Sequence, residues 1–321
     1  MAVNAGDVAL ELLVLAGLAV DRKHGIKDLS ATIGGTFACN LAGSGRIRAG
    51  AARDHFLGFN AVSGRGETFK SGGTVVKNVT GFDLSKLLAG SFGTLAVMTA
   101  VTFKVMPAAE KTRTVLVLGL DDDEAMQAMS KALGSSNEVS GAAHLPEAAA
   151  KGSKVSHVAG TGRSVTAFRV EGPGPSVEHR CRALTELWKD WGDVEELHSE
   201  NSGLFWREIR DVRPLDRGGS GSGANSDDLG SQVWRLSVPP TAGAGVASAI
   251  LADLGGEVFY DWGGGLIWLA SASIRALSSS FSCSWSRCSI RAVFQILIGI
   301  VTLSTVASTT STASQELGGA R

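Results

Sequence analysis

Residues 72–84 read Gly72-Gly73-Thr74-Val75-Val76-Lys77-Asn78-Val79-Thr80-Gly81-Phe82-Asp83-Leu84, and the chain continues Ser85-Lys86-Leu87-Leu88-Ala89-Gly90-Ser91-Phe92-Gly93-Thr94-Leu95. Asp83 before an apolar run is a helix N-cap signal, and Gly90 is its stop. Lys77, Asn78 and Gly81 precede that helix in a glycine-bounded loop, where the backbone can meet a ligand. Gly90-Ser91-Phe92-Gly93 reads first as a sharp structural turn and only second as a cofactor contact. From Leu95 the pattern alternates, with Leu95, Val97, Val101, Phe103 and Val105 expected on one side of a strand that Pro107 ends.

Upstream stand Ala31-Thr32-Ile33-Gly34-Gly35 and Ala49-Gly50-Ala51-Ala52-Arg53-Asp54-His55-Phe56-Leu57-Gly58. Gly34-Gly35 removes two side chains, so that backbone N–H groups can approach an anionic ligand such as a diphosphate. Taken alone, the pair reads more readily as an ordinary turn. Arg53-Asp54 reads equally well as a loop beside a cofactor or as a surface ion pair of little value.

Downstream, residues 113–270 alternate strand and helix signals. Thr114–Leu118, Val165–Val170, Gln232–Val238 and Glu257–Asp261 are expected strands. Helices are expected from Asp122 or Asp123 to Gly134 (through Met126, Met129 and Leu133), around Val177–Trp188, and over Ala242–Leu254. This order implies a sheet with helices packed on it, α+β or α/β. Residues 218–230, rich in Gly, Ser, Asn and Asp, read as a mobile surface loop. Val8–Val20 reads as a helix capped by Asp7 rather than a signal peptide, because no Lys or Arg precedes it. Beyond residue 271 serines and two cysteines cluster, and an apolar run, Ala292–Val301, is short for a membrane span of about 20 residues.

Composition bounds the rest. The chain has 321 residues with 44% hydrophobic and 19% charged content, enough for two domains. Thirty basic against thirty-one acidic residues give no electrostatic reason to bind nucleic acid. Cys39, Cys181, Cys283 and Cys288 show no C-x-x-C spacing, which argues against a zinc or iron–sulfur site on this chain and for a reducing cytoplasm. The six histidines are scattered and read as packing or surface residues, with His55 the one to test because it follows Arg53-Asp54.

The order Ile-Gly-Gly, Gly-x-x-Arg-Asp, Lys77-Asn78-Val79-Thr80-Gly81-Phe82-Asp83-Leu84-Ser85, and Gly-Ser-x-Gly-Thr-Leu resembles the FAD-binding domain of the vanillyl-alcohol oxidase/PCMH superfamily. Within it, Val233-Trp234-Arg235-Leu236-Ser237-Val238-Pro239 and Asp261-Trp262-Gly263-Gly264-Gly265-Leu266 resemble the FAD-binding subunits of the glycolate oxidase family, over roughly residues 6–270. The resemblance implies an α+β chain in three parts. Residues 1–110 are a partial PCMH-type FAD-binding domain (its second subdomain), 111–270 an α+β, ferredoxin-like cap, and 271–321 an atypical, disordered tail. It places Gly34 and Gly35 near the FAD diphosphate or ribityl chain, Gly50, Arg53 and Asp54 on a loop beside the cofactor, and Lys77, Asn78 and Gly81 on its adenosine side. No catalytic base and no metal ligand is assigned.

The implied activity is oxidation of a 2-hydroxy acid, glycolate to glyoxylate, with hydride passing to the flavin. A second flavin subunit and an iron–sulfur subunit are the implied partners. The setting is cytoplasmic, peripheral to the inner membrane through the complex. Three departures qualify this. The family's first FAD subdomain has no counterpart here, so weak or no FAD retention by this chain alone is expected. The flavin-linking Gly-Gly-His arrangement of some relatives is missing. The tail, from residue 271, reads like a shifted frame. The alternative is a non-catalytic assembly subunit, or a truncated product without function.

Overall fold

A computed structural model of the chain describes residues 32–75, 81–215 and 232–271. They lie within one unit spanning residues 1–272. Three short helices come first: α1 (Ile33–Ala38), α2 (Arg46–Ala49) and α3 (Ala52–His55). Strands β1 (Phe56–Ser63) and β2 (Thr68–Gly72), helix α4 (Leu84–Leu88) and strand β3 (Ala96–Phe103) follow. β1 is the centre of a three-stranded antiparallel sheet in the order β2-β1-β3. One face of it, with Phe56, Phe59, Ala61 and Ala96, packs on Phe37, Ala52 and Leu88. Asp83 caps α4 as expected, accepting from the Lys86 N–H at 3.1 Å.

The expected one-sided row in β3 does not form. Asn60 pairs with Ala100 but Ala61 pairs with Met98, so Thr99 is an extra residue on β3. Such a bulge reverses the alternation. Ala96 and Met98 face the core before it and Val101 and Phe103 after it. Leu95 and Val97 are left 50% and 66% exposed.

The second sheet is larger. Its strands are β4 (Lys111–Leu118), β5 (Gly141–Leu145), β6 (Val165–Gly172), β7 (Asp193–Leu197), β8 (Gln232–Ser237), β9 (Glu257–Asp261) and β10 (Leu266–Ser271). They run antiparallel in the order β7-β4-β6-β5-β9-β10-β8. Between them lie α5 (Asp122–Leu133), α6 (Glu147–Ala150), α7 (Ser156–Ala159), α8 (Gly174–Trp188), α9 (Ser199–Arg210) and α10 (Gly243–Leu254). The expected strands and helices of this region are all present, with ends shifted by a few residues.

α9 covers one face through Phe205, Trp206 and Ile209 against Leu116, Ala143 and Phe259. On the other face Phe168 stacks on Trp188 of α8, ring centroids 5.5 Å apart, with both side chains fully buried. Truncating either to Ala would cost about 3–5 kcal/mol. α5 is capped one residue earlier than expected. Asp121 accepts from the Glu124 N–H at 2.8 Å, and Glu124 accepts from the Asp121 N–H at 3.0 Å. This reciprocal box satisfies two otherwise unpaired donors, which a cap at Asp122 or Asp123 would not. Asp122 is thereby freed for another task. The expected N-terminal helix, the 218–230 loop and the tail lie outside the described residues.

Candidate functional site

The glycine and Arg–Asp segments, distant in sequence, are stitched together. Thr32 caps α1 by accepting from the Gly35 N–H at 3.0 Å. Asn40, just past α1, accepts from the Arg53 N–H at 2.9 Å. The Arg53 guanidinium donates to the Lys86 carbonyl at 3.2 Å, and the Lys86 ammonium donates back to the Arg53 carbonyl. Phe92 N–H donates to Ala38 O at 2.9 Å, and Gly90 N–H to Phe37 O at 3.2 Å. Residues 32–40, 50–56 and 83–92 thus form one scaffold.

Within it the expected site residues divide by task. Gly50 has φ +84°, and a Cβ there would lie 2.7 Å from Asp54 Oδ2. Asp54 spends that oxygen on the Ala51 N–H at 2.8 Å. Gly50, Arg53 and Asp54 are therefore a locked turn before β1, and the Arg53 guanidinium faces α4. Gly34 and Gly81 are different: a Cβ at either would meet nothing within 4 Å, so both backbones lie open. A Gly35 Cβ would stand 3.2 Å from the Thr32 hydroxyl. Lys77 and Asn78 lie outside the described residues. His55 is buried, with Nε2 2.8 Å from Ala49 O and Nδ1 3.3 Å from Lys104 O. Those contacts make it a brace between the turn and β3.

A cleft of about 170 Å³ opens between β1–β2 and the start of α4. Asp54, Ser71, Phe82, Asp83, Lys86 and Lys104 line it. Phe82 is 91% exposed and Val75 59% exposed at its rim. The cleft combines an exposed aromatic side chain, the Lys86 and Lys104 ammonium groups, the Asp54 and Asp83 carboxylates and, at Gly81 beside it, backbone without a side chain. An aromatic face and ammonium groups suit a ligand with a planar ring and phosphates. Gly34 and Gly35 do not line this cleft.

Two polar clusters escaped the sequence reading. In the first, buried His144 places Nδ1 2.8 Å from Thr166 Oγ1 and Nε2 3.3 Å from Asp122 Oδ1. The Tyr260 hydroxyl donates to the other Asp122 oxygen. Burial would raise Asp122, but its bonds with His144 and Tyr260 outweigh this and hold it below the ordinary carboxylate value. Burial, and then Asp122, push the Tyr260 phenol up. His144 and Tyr260 are paired residues on β5 and β9. Only the strand pairing brings them to Asp122 at the start of α5, so no local motif announces the group.

The second cluster joins residues 42–48 to the large sheet. Ser44 donates to Asp261 Oδ2 at 2.6 Å, Trp262 N–H donates to Oδ1 at 2.7 Å, and Trp262 Nε1 donates to Gly43 O at 3.0 Å. Ala42, Ala51, Trp262 and Leu266 close round these bonds. Burial pushes the Asp261 carboxyl up to about 6, against the lowering influence of Ser44 and the Trp262 N–H. The Asp-Trp-Gly-Gly signal was visible in sequence, but its partner at Gly43-Ser44 was not.

Among the described residues no helix is long and apolar enough to cross a membrane.

No family model matches the chain. Over 246 residues it is 32% identical to glycolate oxidase subunit GlcE of Escherichia coli (strain K12), covering 76% of this chain and 56% of the relative. Over 108 residues it is 39% identical to the FAD-linked oxidoreductase MT2338 of Mycobacterium tuberculosis (strain CDC 1551 / Oshkosh), covering 34% of this chain and 24% of that protein. In three dimensions it matches p-cresol methylhydroxylase with a TM-score of 0.52 at 12% identity, covering 76% of this chain and 56% of that structure. The chain spans about half the length of its GlcE relative. The chain is thus similar in sequence to glycolate oxidase subunit GlcE, and its α+β fold is similar to that of p-cresol methylhydroxylase.

Proposed function

We propose that this chain is an FAD-binding subunit of an oxidoreductase that oxidises a 2-hydroxy acid, glycolate being the first candidate. The observation that carries the reading is the cleft in which Phe82, Lys86 and Lys104 meet beside the open backbone of Gly81. On this reading residues 1–110 serve FAD, Lys77 and Asn78 keep their assignment to its adenosine side, and Gly34 offers a second position without a side chain in the way. Residues 111–270 form the cap. A second flavin subunit and an iron–sulfur subunit complete the complex, which the absence of paired cysteine spacing on this chain favours.

FAD, when bound, supplies the hydride acceptor. The chain's own part is to orient it. Phe82 offers a face for ring stacking, Lys104 offers charge to phosphates, and the Arg53–Asp54 turn, clasped by Lys86, holds α4 in place. A cleft of about 170 Å³ is small beside the 300–1,000 Å³ typical of ligand pockets, so these residues alone hold FAD weakly. The experiment is anaerobic mixing of the FAD-supplemented full chain with glycolate. Bleaching of the flavin band by glycolate, and none by acetate, is the expected result. FAD that binds yet stays oxidised would overturn the catalytic reading and favour an assembly role.

A further inference from the structure

The small-sheet half and the large sheet are joined by a thin connection. Residues 105–110, which lead from β3 to β4, are exposed throughout and belong to no helix or strand. Between the helices and strands of the two halves, the most extensive packing is that of α2 on β5. There Arg48 of α2 pairs with Glu138 at 3.1 Å, but both side chains are about half exposed, where such a pair is worth little.

Deeper in, the join is the Ser44–Asp261–Trp262 set, whose side chains are buried. Ser44 closes on Asp261 Oδ2 and the Trp262 N–H on Oδ1, and the Trp262 indole N–H returns to the Gly43 carbonyl. Trp262 holds φ +54°, a left-handed conformation that a bulky residue keeps only when its surroundings enforce it. One carboxyl thus ties the segment before α2 to the end of β9. The apolar shell round it is small, with Ala42 and Ala51 from one half and Trp262 and Leu266 from the other. The Ala51 N–H is also the donor to Asp54, which lines the cleft, so this join bears on the cleft's wall.

A buried neutral carboxyl can satisfy these partners at little cost, whereas its ionised form is a charge held out of water. The cations that oppose this are Arg169 on β6 and Arg235 on β8, with Arg46 of α2 standing over the Trp262 ring. Burial outweighs them. Glu138, before β5, is spent on Arg48 and Arg180. Tyr260 bonds Asp122, which also meets His144, so these groups form a separate set. His55 reaches the same segment from α3 through the Ala49 carbonyl.

We propose that Ser44, Asp261 and Trp262 form a pH-sensitive clasp between the two halves, closed while Asp261 is protonated and released, with residues 42–51, when it ionises. The exposed 105–110 connection lets this segment part from the large sheet without unfolding either sheet. The clasp does not depend on the bound cofactor or on the reaction.

The test is hydrogen–deuterium exchange of the full chain at pH 5 and pH 7.5, read by mass spectrometry and corrected for the intrinsic pH dependence of exchange. Residues 42–51 should exchange about tenfold faster at pH 7.5. That is the ratio expected between these pH values for a carboxyl at about 6 when clasped and about 3.9 when free. On the same timescale residues 165–170 of β6 should stay protected. Asp261→Asn should remove the pH dependence, and Ser44→Ala should speed exchange of residues 42–51 at pH 5. Equal corrected rates in the wild type would overturn the proposal. So would exchange of residues 42–51 only together with β6, which is global unfolding. A pH dependence that survives in Asp261→Asn would pass the role to His55 and overturn it as well. If Asp261→Asn fails to fold, the wild-type ratio and Ser44→Ala decide the matter.

Discussion

Two alanine substitutions in one helix should move stability in opposite directions. α10 begins at Gly243, where an added Cβ would lie 2.4 Å from the carbonyl oxygen of Gly264. Gly264 is itself packed against Met126 and the Pro240 carbonyl, so a shift of its backbone disturbs that contact too. Two residues on, Gly245 is exposed with nothing within 4 Å of its Cβ position. Replacing Gly by Ala within a helix stabilises by about 0.5–1 kcal/mol. That gain stands alone at Gly245. At Gly243 it is opposed by forced separation of two backbones, an overpacking that costs about 1–3 kcal/mol. Gly243→Ala should therefore destabilise by about 1–2 kcal/mol, and Gly245→Ala should stabilise by up to about 1 kcal/mol. At about 2–4 °C per kcal/mol for a unit of this size, the two melting temperatures should separate by about 2–12 °C. Thermal and urea denaturation followed by circular dichroism measure this. If Gly243→Ala is as stable as Gly245→Ala, the close contact between α10 and the Trp262–Gly264 turn is not present.

Further outcomes follow from the buried polar groups. Asp261 has its pKa raised to about 6, so its protonated form favours the folded state. That stabilisation is complete below the unfolded value of about 3.9 and is lost as pH rises through 6. Asp261→Asn should thus gain about 2–3 kcal/mol relative to wild type between pH 4 and pH 7.5. A stability difference that does not change with pH would refute it. Tyr260→Phe removes the hydroxyl donor to Asp122 and should cost about 1–2 kcal/mol. The Asp122 carboxyl should also titrate higher in that variant, as followed by NMR, since one of the bonds holding it down is gone.

Much of the fold was legible because local patterns and tertiary packing agree. β9 falls on Glu257–Asp261 as read, and α10 begins one residue after the expected start. The reading failed where one residue shifts a whole pattern. Thr99 as a bulge turns Val97 away from the core, and nothing in an alternating run marks the extra residue. The cap of α5 was misplaced by one because Asp121, Asp122 and Asp123 are chemically equivalent. Only Glu124, three residues on from Asp121, distinguishes them.

The candidate site was legible in its glycines and less so in its tasks. Gly50, Arg53 and Asp54 were read as a loop beside the cofactor or a surface ion pair; Asp54 closes the turn on the Ala51 N–H and lines the cleft, and Arg53 clasps α4. Phe82, Lys86 and Lys104 were not singled out, because only folding brings residues 82–86 opposite residue 104. The meeting of Gly43-Ser44 with Asp261-Trp262 is separated by more than two hundred residues and lies beyond any local motif.

The central claim is tested most directly by titrating FAD into the full chain and following flavin fluorescence. Saturable quenching is predicted, competed by ADP, weakened several-fold by Phe82→Ser and by Lys104→Gln, and unaffected by Gly245→Ala. Quenching that never saturates, or that is indifferent to both cleft substitutions, would contradict the assignment of this cleft to FAD.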